Sequence, residues 1–293
     1  MENNGLSKDA VSEYWRGKNI PQQWYSTKDR LSLPWFNEIS RKRYEVYYEY
    51  LATDAEFRHH PGEKVLEVGC GLGTDLVEYA KHGALVSGVD LGQEQVDLPR
   101  LNLQLHHLPC DSMLPADAEN LPFADGSFDL VYSFGVLHHT PNTDKAIAEV
   151  RRVLKPDGQA IIMLYARGWK HYLKRCFIHG LLLGKFFKCG CNWQKVCNEV
   201  SEVHGSSPKT GVYTRRQVEK MFQNFSHVKI YKRRLGEFIE YPPYQSFMLP
   251  SFIRKTLLFF NLQALLGENW LIKANKSPAP SRESIFQVVF RHY

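Results

Sequence analysis

Three glycines at alternate positions, in Glu67-Val68-Gly69-Cys70-Gly71-Leu72-Gly73, constrain this chain more than any other feature. The run Lys64-Val65-Leu66-Glu67-Val68 leading into them is short and mostly apolar, as a buried strand requires, and Asp75 to Ala80 beyond them reads as a helix closed by Gly83. Strand, tight turn and helix in this order point backbone N–H groups at the turn's contents, and glycine lets a ligand approach that backbone closely. Leu85 to Val89 supplies a second strand ending at Asp90, so the pattern predicts a parallel βαβ unit. Asp90 follows Gly73 by 17 residues, at a strand end where a carboxylate can accept hydrogen bonds from both ribose hydroxyls. The turn alone suits several nucleotide cofactors, although dinucleotide-binding turns usually place the third glycine one residue later.

The alternation continues. Apolar runs at Phe128 to Phe134 and Gln159 to Tyr165 flank a helical pattern from Asp144 to Leu154 that stops before Lys155-Pro156-Asp157-Gly158. This predicts an α/β, Rossmann-like, doubly wound and mostly parallel sheet. Around that core, residues 1–60 are rich in aromatic and charged side chains and predict a helical N-terminal lid, with Tyr44, Tyr47, Tyr48 and Leu51 spaced as a core-facing stripe. From Arg167 to Asn198 the chain has seven Lys and Arg and no Asp or Glu, among many Leu, Phe and Trp residues. That composition predicts a basic, amphipathic insertion. A helix from Thr214 to Phe225, strands at His227 to Arg233 and Trp270 to Asn275, an apolar helical stretch at Pro250 to Leu266 and a strand at Ile285 to Phe290 complete the reading. The expected organisation is a lid (1–60), a binding core (61–166), a cap (167–213), a C-terminal completion of the core with an apolar helical insertion (214–276), and a tail (277–293).

A hydrophobic fraction of 43% with 23% charged residues describes a chain able to bury a large core. The polar start and the lack of an apolar run near the roughly 20 residues needed to cross a bilayer predict a cytoplasmic protein. Six irregularly spaced cysteines predict reduced thiols, and Cys189-Gly190-Cys191 lacks the spacing of a zinc site, so no metal is expected. A net charge of +6 supports an anionic partner only weakly.

Val65 to Asp75 resembles the first motif of the class I S-adenosylmethionine-dependent methyltransferases, of the branch that includes the ubiquinone and menaquinone C-methyltransferases. Three further segments resemble the same family in order: Asp117-Ala118-Glu119-Asn120-Leu121-Pro122-Phe123, Phe128 through His139, and Val150 through Gly158. The resemblance implies a seven-stranded sheet with a helical insertion after strand five and S-adenosyl-L-methionine as cofactor. It implies that Glu67 and the loop of Gly69, Gly71 and Gly73 hold the methionine portion. Asp90 with Leu91 would then hold the ribose, Asp117 with Ala118 the adenine, and Phe134 and the lid residue Tyr14 would complete the site. Tyr14 and Trp15 together stand where an N-terminal lid would set an aromatic face against a sulfonium, with packing in the core as the alternative. Each acid also has a structural reading, as a helix cap.

Methyl transfer from a sulfonium is an in-line displacement that needs little covalent machinery, so the absence of an obvious nucleophile is compatible with it. If the acceptor must lose a proton, His139 or His138, just after the fourth strand, is the candidate base, with packing in a turn as the alternative. Glu240-Tyr241-Pro242-Pro243-Tyr244 resembles the Pro-Pro-Tyr motif of amino-directed methyltransferases but stands far from the fourth strand. The expected acceptor is a small, partly hydrophobic molecule, methylated at carbon or oxygen, with peripheral contact to an anionic membrane as a second use of the basic cap. Nucleic acid is not expected, because large aliphatic residues interrupt the basic ones. Two other classes share parts of the pattern. A nicotinamide-dependent oxidoreductase would share the βαβ unit and Asp90, and a non-catalytic S-adenosylmethionine-binding protein would share every motif.

Overall fold

The computed structural model describes residues 8–15, 26–168, 171–200, 207–233, 239–241, 245–247 and 267–276. Nine strands lie in these segments: β1 (Lys64–Val68), β2 (Leu85–Asp90), β3 (Ser112–Pro115), β4 (Phe128–Phe134), β5 (Leu154–Tyr165), β6 (Ser226–Arg233), β7 (Ile239–Tyr241), β8 (Gln245–Phe247) and β9 (Asn269–Asn275). Seven form one sheet in the order β3-β2-β1-β4-β5-β9-β6, and β7 pairs with β8 separately. β1 to β5 run parallel, while β9 is antiparallel to both β5 and β6. The expected seven-stranded, mostly parallel sheet is therefore the observed one.

Strands covered on both faces must be apolar at successive positions, and β1 and β4 are. Their alternate residues enter two separate cores: Leu66, Val68 and Val131 on one face, Val65, Leu130 and Tyr132 on the other. The helices are α1 (Lys8–Trp15), α2 (Leu33–Lys42), α3 (Leu51–Asp54), α4 (Thr74–Lys81), α5 (Gln93–Leu105), α6 (Thr143–Val153), α7 (Lys185–Lys188), α8 (Trp193–Val200) and α9 (Arg215–Met221). α6 and α9 cover the first face with Ile147, Val150 and Val218, and α4 and α5 cover the second with Leu76, Tyr79, Val96 and Leu103. α2 packs outside α5 through Trp35, Phe36 and Ile39, the centre of a third cluster.

Two core elements escaped the sequence pattern. α5 is polar along much of its length and contains Pro99, and β3 has only four residues, so neither carries a clear period. The tyrosine stripe is also not one helix. A wide helical turn covers Arg43–Tyr47, the chain breaks at Tyr48, and Leu51 restarts it, fully buried. The basic insertion is helical, with a wide-turn helix at His171–Leu182 followed by α7 and α8. Thr214 caps α9 through a reciprocal pair with Gln217, which fixes the start of that helix. The expected helix at Pro250 to Leu266, the strand at Ile285 to Phe290, the 277–293 tail and the Pro242-Pro243-Tyr244 segment lie outside the described residues.

Candidate functional site

The strand order reverses between β1 and β4, and the helices that follow these strands cross to opposite faces of the sheet, leaving a crevice at the strands' carboxyl ends. A cavity of about 180 Å³ lies there. Its walls come from the glycine turn, the end of β2, the Asp117 segment, the turn after β4, and α1.

The three glycines do three different jobs. Gly69 has φ +80°, and a Cβ there would lie 2.3 Å from a methyl of Val136, so its absence lets the turn after β4 close on the loop. Gly73 has φ +69°, and a Cβ would lie 2.5 Å from Cβ of Pro99, so this glycine serves the packing of α4 on α5. Gly71 is different. It has φ +49°, nothing within 4 Å of where a Cβ would stand, and a place in the cavity wall. Of the three, Gly71 alone presents bare backbone to open space.

Asp90 holds that backbone in place. Its Oδ2 accepts the Gly71 amide at 3.0 Å and its Oδ1 the Leu91 amide at 2.8 Å. Burial raises the Asp90 carboxyl above its ordinary value, and these two amides oppose the rise. Each oxygen keeps a further lone pair, so the same carboxylate can accept ribose hydroxyls while organising the loop. Asp117 and Ala118 form the next section of wall. Asp117 Oδ1 accepts the Glu119 amide at 2.9 Å, and its Oδ2 pairs with the Lys8 ammonium, which also reaches Glu119 Oε2 at 3.3 Å. α1 is thereby fastened over this end. Lys8, Val11 and Trp15, spaced three and four apart on one helical face, all line the cavity.

The other end is walled by Gly135, Val136, His139, Thr140 and Pro141. Gly135, with φ +80°, ends β4 and begins a tight turn at Leu137–His139. The His139 Nδ1 lies 2.7 Å from the Lys209 carbonyl. Since a carbonyl only accepts, Nδ1 carries a proton, and in the neutral ring Nε2 then carries the lone pair. Lys209 returns the contact by donating from Nζ to the Thr140 and Pro141 carbonyls, and burial lowers its pKa. The Trp15 ring stands edge-on to His139, 5.0 Å between centroids.

The structure brings Gly69, Gly71, Asp90, Leu91, Asp117, Ala118 and His139 together, and sets Glu67, Gly73, Phe134, Tyr14 and His138 back from the wall. Tyr14 is turned away along α1 and stands edge-on to Trp15 at 5.0 Å, so the wall takes the second aromatic of that pair. His138 is fully buried, its ring 3.9 Å from that of Tyr165. Phe134 packs edge-on to Tyr48 at 4.9 Å, under the Arg43 guanidinium. Glu67 lies beneath the loop, with Oε2 unpartnered among the described residues. Burial, and after it the nearby Asp75 carboxylate, hold the Glu67 carboxyl well above the ordinary range.

Sequence reasoning missed the support of that floor. Buried Asp75 accepts Nε of Arg43 at 2.8 Å, the Tyr44 hydroxyl at 2.6 Å and the Tyr132 hydroxyl at 2.9 Å, and a second Arg43 nitrogen completes a two-pronged ion pair. No local pattern announces a pair 32 residues apart. Lys8 and Lys209 were equally invisible, because each acts across more than 65 residues. Among the described residues, no three His, Cys, Asp or Glu side chains are arranged to hold a metal.

The groups in the wall suit an adenosyl sulfonium: a carboxylate at the end of β2, a second acid with adjoining backbone, and an open glycine backbone, with the unpartnered acidic oxygen of Glu67 beneath the loop. Comparison with known proteins agrees. Residues 66–162 match the family model described as a methyltransferase domain. The chain is similar to methyltransferase GfsG of Streptomyces halstedii, 36% identical over 134 residues, covering 45% of this chain and 46% of that protein. It is similar to the sterol 24-C-methyltransferase ERG6B of Gibberella zeae, 38% identical over 111 residues, covering 37% of this chain and 29% of the other. The chain thus spans less than half the length of these curated relatives. A solved S-adenosylmethionine-dependent methyltransferase from Methanosarcina mazei shares the fold, with TM-score 0.50 and 19% identity over 76% of this chain and 96% of that one. Residues 66–162, which carry the glycine turn, Asp90 and the Asp117 segment, thus match a methyltransferase domain and lie within the seven-stranded sheet.

Proposed function

We propose that this protein transfers the methyl group of S-adenosylmethionine to a carbon or oxygen of a small, partly hydrophobic acceptor. The observation that carries the reading is the joining, in one cavity, of Asp90 bound to the Gly71 amide with the Asp117–Ala118 wall on one side and His139 on the other. When bound, S-adenosylmethionine supplies a methyl group on a positively charged sulfur. Gly69, Gly71 and Glu67 hold the methionine portion, Asp90 and Leu91 the ribose, and Asp117 and Ala118 the adenine. Lys8, Val11 and Trp15 cover the site and exclude water, and the Trp15 face favours a cation. His139, oriented by the Lys209 carbonyl, takes the acceptor's proton on Nε2.

The division into lid, core, cap, completed core and tail belongs to this reading, as does a cytoplasmic location. The name of the sterol relative supports an apolar acceptor. Peripheral contact with an anionic membrane is part of the same proposal. Calorimetry against S-adenosylmethionine, S-adenosylhomocysteine and NAD tests the proposal: the first two bind and NAD does not. Binding of NAD alone would overturn it in favour of an oxidoreductase. Turnover of labelled methyl donor against extracted metabolites then separates an enzyme from a protein that only holds the cofactor.

A further inference from the structure

The cap carries an apolar surface that the proposed chemistry does not use. Of the eleven large hydrophobic residues exposed among the described ones, eight fall between Tyr172 and Trp193. Leu182 is 66% exposed and Phe187 67% exposed, with Leu181, Leu183 and Phe177 beside them in sequence. A solvated loop has no reason to concentrate its apolar area in this way. The surface is also held in shape, since Phe186 stacks on Trp193 at 4.2 Å and so ties α7 to α8.

Its charge identifies the occupant. The segment from Arg167 to Asn198 contains seven Lys and Arg and no acid, while the whole chain carries +6, so the remainder of the chain nets −1. Lys188 and Lys195 are exposed on α7 and α8. A second copy of this chain would set like charge against like charge across the interface. A polyanion without an apolar layer would leave Leu182 and Phe187 in water. An anionic bilayer satisfies both features, the headgroups taking the lysines and the acyl boundary the leucines and phenylalanines.

The same element reaches the proposed acceptor end. On α8, Asn198 accepts the Thr210 amide through Oδ1 at 2.9 Å and donates to the Pro208 carbonyl at 3.0 Å, and Gln194 donates to the Thr210 carbonyl at 2.8 Å. Between those anchors lies Lys209, whose carbonyl holds His139. Resting on the methyltransferase reading, we infer that the cap seats the protein on an anionic lipid surface, from which an amphiphilic acceptor enters beside His139.

Sedimentation of the full chain with vesicles of phosphatidylcholine, with and without phosphatidylglycerol, tests this. The expected result is at least about tenfold stronger uptake on the anionic vesicles, weakened by salt. Leu182→Glu with Phe187→Glu, both at exposed positions, lowers that uptake at least about tenfold while calorimetric binding of S-adenosylmethionine is unchanged. Lys188→Glu with Lys195→Glu removes the preference for anionic lipid. Equal uptake on both vesicles, no uptake on either, wild-type uptake by the Leu182/Phe187 variant, or a stable dimer broken by that variant would each overturn the inference. Uptake on anionic vesicles by a chain that binds no S-adenosylmethionine would instead sink the methyltransferase reading and leave lipid docking in place.

Discussion

Asp90 Oδ2 accepts the amide of Gly71 at 3.0 Å, so the carboxylate expected to meet the ribose also fixes the loop expected to meet the methionine portion. The two roles share one side chain, and Asp90→Ala removes both. A hydrogen bond to a charged group contributes about 1.5–3 kcal/mol, so affinity for S-adenosylmethionine falls about 100-fold by calorimetry. Asp90→Asn keeps one acceptor and loses about tenfold. Unchanged affinity in both variants would leave Asp90 a loop brace only.

The glycines separate packing from ligand approach. Gly69→Ala drives a Cβ into Val136, in addition to its φ of +80°, and costs about 3 kcal/mol or more in urea denaturation. Gly71→Ala meets no atom and costs only about 1–2 kcal/mol, yet it fills the cavity wall and abolishes measurable cosubstrate binding. If Gly71→Ala binds normally, the ligand does not lie against this backbone.

These contrasts mark how far the sequence could be read. The β1 turn and β2 ending at Asp90 announce themselves because each is a local pattern with a physical cause, whereas the Asp117 segment is legible only through its resemblance to a methyltransferase motif. The division of labour among Gly69, Gly71 and Gly73 depends on Val136 and Pro99, which no spacing rule connects to them. α5 stayed hidden because Pro99 and its polar residues blur the helical period. The choice of Trp15 over Tyr14 depends on how α1 is rotated, which the Lys8 contacts with Asp117 and Glu119 set from more than a hundred residues away.

Asp75 offers a test of long-range support. It is buried, with the Arg43 guanidinium and the hydroxyls of Tyr44 and Tyr132 bonded to it, and removing the acid leaves a mostly buried guanidinium without its partner. Asp75→Ala is expected to cost about 3–5 kcal/mol in urea denaturation, and Tyr132→Phe only about 1 kcal/mol. A small effect of Asp75→Ala would mean that Arg43 reaches solvent.

Glu67 predicts a pH dependence of stability. Its folded pKa is raised by burial and by Asp75, so its contribution is fully present below the ordinary carboxylate range, about pH 4.3, and is lost as pH rises through the raised value. The cosubstrate-free protein therefore carries a component of stability that falls as pH rises above the ordinary carboxylate range, and Glu67→Gln removes that component from the melting-temperature profile. A cationic amino group favours the ionised acid, so affinity for S-adenosylmethionine rises with pH as Glu67 ionises. A Glu67→Gln protein with the wild-type pH profile would remove Glu67 from this role.

The two histidines are neighbours in sequence and opposites in setting, which makes the pair its own control. His139 lines the cavity with Nδ1 engaged by the Lys209 carbonyl, whereas His138 is fully buried against Tyr165. If His139 takes the acceptor's proton, His139→Ala lowers kcat about 10²- to 10⁴-fold with little change in cosubstrate affinity, and the acidic limb of the kcat/KM profile disappears. His138→Asn lowers the melting temperature but keeps that limb. Lys209→Ala frees the turn at Thr140 and Pro141 without removing the carbonyl that holds His139, so it lowers kcat less than His139→Ala and leaves the limb in place. An acidic limb that survives His139→Ala would assign proton transfer elsewhere and leave His139 as a wall that shapes the acceptor.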